Sequence, residues 1–139
     1  MHVMTRSARA RQLALDLGAA SATGAADPPP EPLDAAILFA PVGDLVPPMM
    51  RALDRGGVGV VSGISLSDVP PLVYERELFY EKQLRSVTAS TRADGEELLR
   101  LAVTLGVEPT TTARPFDAAA RTLADLAADA YEGAAVLVR

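Results

Sequence analysis

Residues 36 to 64 read AILFAPVGDLVPPMMRALDRGGVGVVSGI, and no other stretch constrains the fold as tightly. Ala35 to Ala40 are continuously apolar, as in a strand buried on both faces, the signature of a parallel sheet. Pro41-Val42-Gly43 turns the chain. Asp44 can cap a helix running to about Asp54, with Pro47 and Pro48 tolerated in its first turn because those backbone N–H groups have no helical partner. Gly56-Gly57 reads as the helix stop, and VGVVSG as a second buried strand that Gly59 weakens. Strand, helix and strand in this order make a β-α-β unit.

The flanks extend the pattern. His2 to Thr5 is short and strand-compatible, and Ser7 to Ala19 reads as a helix capped by Ser7 and stopped by Gly18, with Ala10, Leu13, Ala14 and Leu17 on one face. SATGAADPPPEP is a loop in which four prolines enforce extended backbone. Residues 64 to 83 form an excursion in which Tyr74, Leu78 and Phe79 share a helical face. Leu84 to Ser90 reads as a strand. A helix starts at Thr91 or Asp94 and ends at Leu105, with Leu98, Leu101, Ala102 and Leu105 inward. TTTARP is a short strand, Asp117 caps a last helix with an Asp117/Arg121 pair along it, and GAAVLV is a closing strand. Helices alternating with strands predict an α/β, mostly parallel sheet, whose ligands sit beyond the carboxyl ends of the strands.

Composition removes whole classes of function. The chain has 139 residues, enough for a real core, and 49% of them are apolar, which sets it apart from disordered chains. A formal charge of -5 with no basic block speaks against nucleic acid. No apolar run approaches the ~20 residues that cross a bilayer. The basic opening MHVMTRSARARQ lacks the apolar stretch of a secretory signal, so a cytoplasmic protein is expected. Cysteine is absent and His2 is the single histidine, which excludes Cys-ligated zinc, His-based triads and Cys–His pairs. His2 is read as an exposed terminal side chain. Neither a G-x-x-x-x-G-K-[ST] nor a G-x-G-x-x-G motif occurs. Glu75, Glu77, Glu81, Glu96 and Glu97 are read as solvated surface, and Tyr74 and Tyr80 as packing or surface residues.

One polar group has a specific meaning. In a dinucleotide fold the residue ending the second strand meets the adenosine ribose; an acid there binds the 2′-hydroxyl of NAD, whereas an arginine suits the 2′-phosphate of NADP. Thr5, Arg6 and Ser7 supply an arginine and no acid. Taken alone, the same residues read more simply as a helix cap beside a surface arginine.

The wording of LDAAILFAPVGDLVPPMMRALDRGG, SGISLSDVPPLVYERELFYEKQLRSVTASTRADGEELL and GAAVLVR closely resembles bacterial zinc-type medium-chain alcohol dehydrogenases. The resemblance runs from His2 to Val138 but covers only the C-terminal part of that family. It implies an incomplete Rossmann domain over residues 1–109, lacking its first strand and Gly-rich turn, and a C-terminal segment 110–139 that returns to the catalytic domain. It implies NAD(P) as cofactor, with NADP(H) favoured by Arg6. By the same resemblance, Thr5, Arg6 and Ser7 line the adenosine-ribose pocket and Ala40, Pro41, Val42 and Gly43 pass beside the cofactor. Ser62, Gly63 and Ile64 offer backbone groups to the nicotinamide carboxamide. Ala89 and Ser90 lie near the nicotinamide end, with Ser90 standing where relatives often have Asn. The family's zinc ligands and catalytic residues have no positions in this sequence.

In the strand order 3-2-1-4-5-6, loss of the first strand leaves the AILFA strand with an open apolar edge. HVMT is then expected either to pair directly with AILFA or to detach and fray. Three functional expectations follow: a cofactor-domain part of a dehydrogenase, partnered by a separately encoded catalytic domain or by copies of itself; a non-catalytic nucleotide-binding or interaction module; or an inactive remnant.

Overall fold

Every strand pair in the computed structural model, which describes residues 1–128, 130 and 133–139, is parallel. The α/β expectation therefore holds. Two compact units divide the chain, Met1–Ala89 and Ser90–Arg139.

The first unit contains two sheets. In one, β1 (His2–Met4) pairs with β2 (Ser21–Thr23), joined by helix α1 (Ala8–Asp16). In the other, β3 (Leu33–Leu38), β4 (Leu53–Val61) and β5 (Gln83–Ser86) lie in that order. Ser7 caps α1, its Oγ accepting from the Ala10 N–H at 3.0 Å, and Gly18 follows the helix end at φ 92°. Neither outcome expected for HVMT occurs. It pairs with Ser21–Thr23 instead, a strand hidden from periodicity because three residues are too few to alternate visibly.

His2 is also misread by position. Its Nδ1 lies 2.9 Å from Ser21 Oγ and its Nε2 2.9 Å from Glu31 Oε1, and only 12% of its side chain is exposed. Strand pairing pulls in a residue that its place in the sequence leaves free.

The core lies on one face of the β3-β4-β5 sheet. A 3-10 turn, Gly43–Leu45, leads into α2 (Val46–Ala52), so Asp44 sits in the turn, not at the helix cap. Pro47 occupies the first turn, as its missing N–H allows. Leu38, Val46, Met49, Met50 and Leu53 form the buried cluster, with Leu66, Leu72 and Leu78 of the excursion packed against it. Removing one such side chain from water stabilises by about 1.5–3 kcal/mol.

The helix stops at Ala52, earlier than the glycine pair suggests, and Gly56 lies within β4 at φ 72°. Gly59, which counts against a strand in the sequence, lies inside one, β4. A Cβ there would sit 2.9 Å from Met49 Cε and 3.1 Å from Met50 Sδ, so the ends of two flexible side chains of α2 pack over this position.

The other face of β3 is open, against the expectation of burial on both. Leu38 is buried, but Ile37 is 59% and Phe39 72% exposed. The reason is one-sided cover: α2 and the apolar residues of the excursion pack on the Leu38 face.

In the excursion, α3 spans Tyr74–Glu77, and Glu77 is not surface. It is 1% exposed, accepts from the Val73 N–H, and pairs with Arg51 Nη1 at 3.0 Å and Arg76 Nη2 at 3.6 Å. Burial pushes its carboxyl up, but the Val73 hydrogen bond and the two guanidinium groups outweigh this and hold it below the ordinary glutamate range. Lys82 Nζ donates to Met50 O at 2.9 Å beside it.

In the second unit, α4 (Arg92–Leu105) begins with a capping box between Thr91 and Asp94. β6 (Thr111–Pro115) pairs with β7 (Ala134–Val138), and α5 (Ala119–Ala127) connects them after a 3-10 turn, Phe116–Ala118. Asp117 lies in that turn, and α5 carries no side-chain cap bond. The α4 face expected inward stays open: Leu98, Leu101 and Leu105 are exposed and Ala102 is half-buried.

Candidate functional site

The carboxyl ends of β3 and β4 come together, and with them two of the expected groups. Ser62 N–H and Gly63 N–H both donate to Leu38 O, at 2.9 and 3.2 Å, which sets Ser62-Gly63-Ile64 beside the chain leaving β3. Ile64 projects, 79% exposed, and Ser65 follows at φ 58°. After β3, Val42 N–H donates to Ala40 O at 2.9 Å, making the tight turn that Pro41 starts.

Gly43 is buried and pinned. Its N–H donates to Ser67 Oγ at 2.8 Å, while Ser67 N–H reaches back to Pro41 O at 3.5 Å. A Cβ on Gly43 would lie 2.1 Å from Asp68 O and 2.5 Å from Ser67 O. Only glycine fits, because both obstacles are backbone. Ser67 was not singled out by sequence; a lone serine in an excursion carries no periodic or motif signal. The excursion is thus fixed at both ends, by Ser67 on Gly43 and by Glu77 and Lys82 against α2.

Thr5, Arg6 and Ser7 follow β1, in the other sheet. Thr5 N–H donates to Thr23 O at 3.0 Å, extending the pairing by one residue. Ser7 Oγ is engaged as the α1 cap, leaving its O–H free to donate outward. Arg6 is exposed. Arg11, unmarked by any motif, holds this turn: one Nη donates to Thr5 O at 3.0 Å and Arg6 O at 2.8 Å. The turn therefore presents Arg6 from a fixed backbone.

Ala89 closes the first unit, three residues beyond β5, and Ser90 opens the second. Both are exposed. No hydrogen bond described for Ala89 joins it to the Ala40–Gly43 and Ser62–Ile64 group.

Backbone groups at the ends of β3 and β4 and, in the other sheet, the exposed Arg6 guanidinium are the polar groups that these segments offer. Zinc does not fit: among the described residues no three His, Cys, Asp or Glu side chains cluster as ligands. Two concavities lie elsewhere. One of about 250 Å³ is lined by Arg55, Phe79, Tyr80 and Glu81, where the Arg55 guanidinium stacks 4.7 Å over the Tyr80 ring. Another of about 460 Å³ lies between α5 and β7. Tyr74 packs edge-on against Phe79 at 5.7 Å, in keeping with a packing role. No helix among the described residues is long and apolar enough to cross a membrane.

No protein-family model matches the chain. It is 58% identical over 138 residues to the probable alcohol dehydrogenase AdhA of Mycobacterium tuberculosis (strain CDC 1551 / Oshkosh), a match covering 99% of this chain and 40% of that protein. The chain is thus homologous to part of an alcohol dehydrogenase and spans about 40% of the length of the curated relative it matches. Among solved structures, benzyl alcohol dehydrogenase from Acinetobacter calcoaceticus matches with a TM-score of 0.79 at 16% identity, over 99% of this chain and 42% of that one. An alcohol dehydrogenase zinc-binding domain protein from Burkholderia ambifaria gives 0.80 at 16%, with the same coverages. These structures show the fold alone: α/β, parallel and Rossmann-like.

Proposed function

We propose that the chain is the cofactor-binding part of an alcohol dehydrogenase, whose reaction is hydride transfer between an alcohol carbon and a nicotinamide dinucleotide. The observation that carries this reading is the 58% identity to the mycobacterial alcohol dehydrogenase, which extends through both strand-end segments that converge after β3 and β4. In the proposed division, residues 1–109 hold the nucleotide and residues 110–139 return to the remainder of the enzyme. The proposed compartment is the cytoplasm.

The bound nicotinamide cofactor supplies the hydride acceptor and donor. This chain's own residues bind and orient. Arg6, on the turn held by Arg11, meets the adenosine end and favours a 2′-phosphate, hence NADP(H) over NAD(H). Thr5 and Ser7 complete that end. Ala40, Pro41, Val42 and Gly43 line the path of the cofactor, with Ser67 fixing their backbone. Ser62, Gly63 and Ile64 offer backbone groups to the carboxamide. Among the described residues no ligand set for zinc occurs.

The test is reconstitution. The part of the mycobacterial relative outside the match is produced separately and mixed with this chain, zinc, NADP⁺ or NAD⁺, and a panel of primary alcohols. Absorbance of the reduced cofactor should rise only in the mixture, faster with NADP⁺, and Arg6→Asp should shift preference toward NAD⁺ by about tenfold. A mixture with no activity and no nucleotide binding contradicts the proposal.

A further inference from the structure

Arg6 and Arg11 place two positive charges at one turn. The chain has 18 Asp and Glu against 13 Lys and Arg, so carboxylates are not scarce. Other arginines meet them: Arg51 and Arg76 pair with Glu77, and Arg100 with Glu97. Among the described residues neither Arg6 nor Arg11 forms such a pair. Like charges held close without a counter-charge raise each other's energy, and a bound anion relieves it.

Arg11 is only partly used by the fold. It is half-buried, and a single nitrogen, Nη1, makes both bonds to the turn, to Thr5 O at 3.0 Å and Arg6 O at 2.8 Å. A guanidinium has five N–H donors in a planar fork. Nη1 supplies two of them, so the Nε–H and both Nη2 N–H groups stand without an acceptor among the described residues. Holding the turn thus leaves unused the edge of the fork that binds oxyanions bidentately. Ser7 adds a donor on the same turn, because its Oγ accepts from the Ala10 N–H and its O–H remains available.

We propose that Arg11 is a second ligand for the 2′-phosphate of the cofactor and closes with Arg6 as a two-arginine clamp on that phosphate monoester. The inference deepens the NADP(H) reading above and rests on it. A monoester carries about 1.5 to 2 negative charges and three acceptor oxygens on one phosphorus, which matches two guanidinium groups based on one turn. The pyrophosphate of the cofactor spreads its charge over two phosphorus atoms, and a 2′-hydroxyl carries none. Because Arg11 is tied to the backbone that bears Arg6, both charges are in place before the ligand arrives, which lowers the ordering cost of binding. Arg11 therefore acts twice: it positions Arg6 through the turn, and it meets the phosphate itself.

The test measures the ratio of NADP⁺ to NAD⁺ affinity by calorimetry on the full chain. Arg11→Met keeps the stem and removes every side-chain donor, and should cut the ratio about tenfold. Arg6→Met separates the two roles. A direct ligand still favours NADP⁺ in that background, and adding Arg11→Met should lower the ratio again, by about threefold or more. The ratio should also fall below about pH 6, where the monoester takes up a proton, more steeply in the natural chain than in Arg11→Met. A ratio unchanged in Arg11→Met overturns the proposal. So does a preference that Arg6→Met alone abolishes, since Arg11 then acts only by holding Arg6. Should Arg11→Met fold poorly, Arg11→Lys keeps the charge without the planar fork and should lose about threefold of the ratio. Inorganic phosphate, followed at the arginine Nε–H resonances without nucleotide, separates the clamp from the reading beneath it. Shifts at both Arg6 and Arg11 in a chain that binds neither dinucleotide support the clamp and contradict the dehydrogenase reading; shifts at neither overturn the clamp.

Discussion

Leu38, Met49 and Met50 in the first unit and Leu98, Leu101 and Leu105 in the second are written alike, as apolar residues at strand or helix spacing. The first set is buried and the second exposed. Among the described residues, every buried hydrophobic side chain lies in Met1–Ala89, while the second unit buries Thr122. Apolar spacing marks a face that requires a partner; whether the partner is present is a property of the rest of the fold. In the first unit the excursion closes over α2 and supplies it. The open face of β3, with Ile37 and Phe39 exposed, shows the same contrast within a single strand.

That contrast can be broken by substitution. Met50→Ala, at a fully buried position, should cost about 2–5 kcal/mol, read as a lower urea midpoint. Gly43→Ala drives a Cβ into the Asp68 carbonyl and should cost about 1–3 kcal/mol in the same assay, releasing Ser67 from its contact. Glu77→Gln sharpens the comparison through pH. The carboxyl is held below its ordinary range in the folded state, so its stabilisation is complete above the unfolded value and is lost as pH falls through the lowered folded one. Melting temperature should fall between neutral and acid pH more steeply in the natural chain than in Glu77→Gln. At the other extreme, Leu105→Ala, 70% exposed, should change stability by no more than about 0.5 kcal/mol. A loss at Leu105 as large as that at Met50 would erase the distinction between the units.

Much of the parallel α/β pattern was legible, because it rests on spacing and caps. Ser7, Thr91 and the strand around Ile37 carry local chemistry that works wherever the chain lies. Glu77 was not legible. It looks like surface charge in a run of glutamates, and only the fold brings Arg51, twenty-six residues away, to meet it. Gly59 counts against a strand by local preference, yet β4 runs through it, with Met49 and Met50 packed over it, a tertiary fact. Of the candidate site, the segments after β3 and β4 could be placed from strand ends alone. Arg11 and Ser67 could not, because each acts by holding a neighbouring turn.

The most direct test is a two-dimensional amide NMR titration of the full chain with NADP⁺. Perturbed resonances should map to Thr5–Ser7, Ala40–Gly43 and Ser62–Ile64, with weaker changes under NAD⁺. Spectra that stay unchanged at high nucleotide concentration, or shifts confined to the groove between α5 and β7, would contradict a nucleotide site at the strand ends.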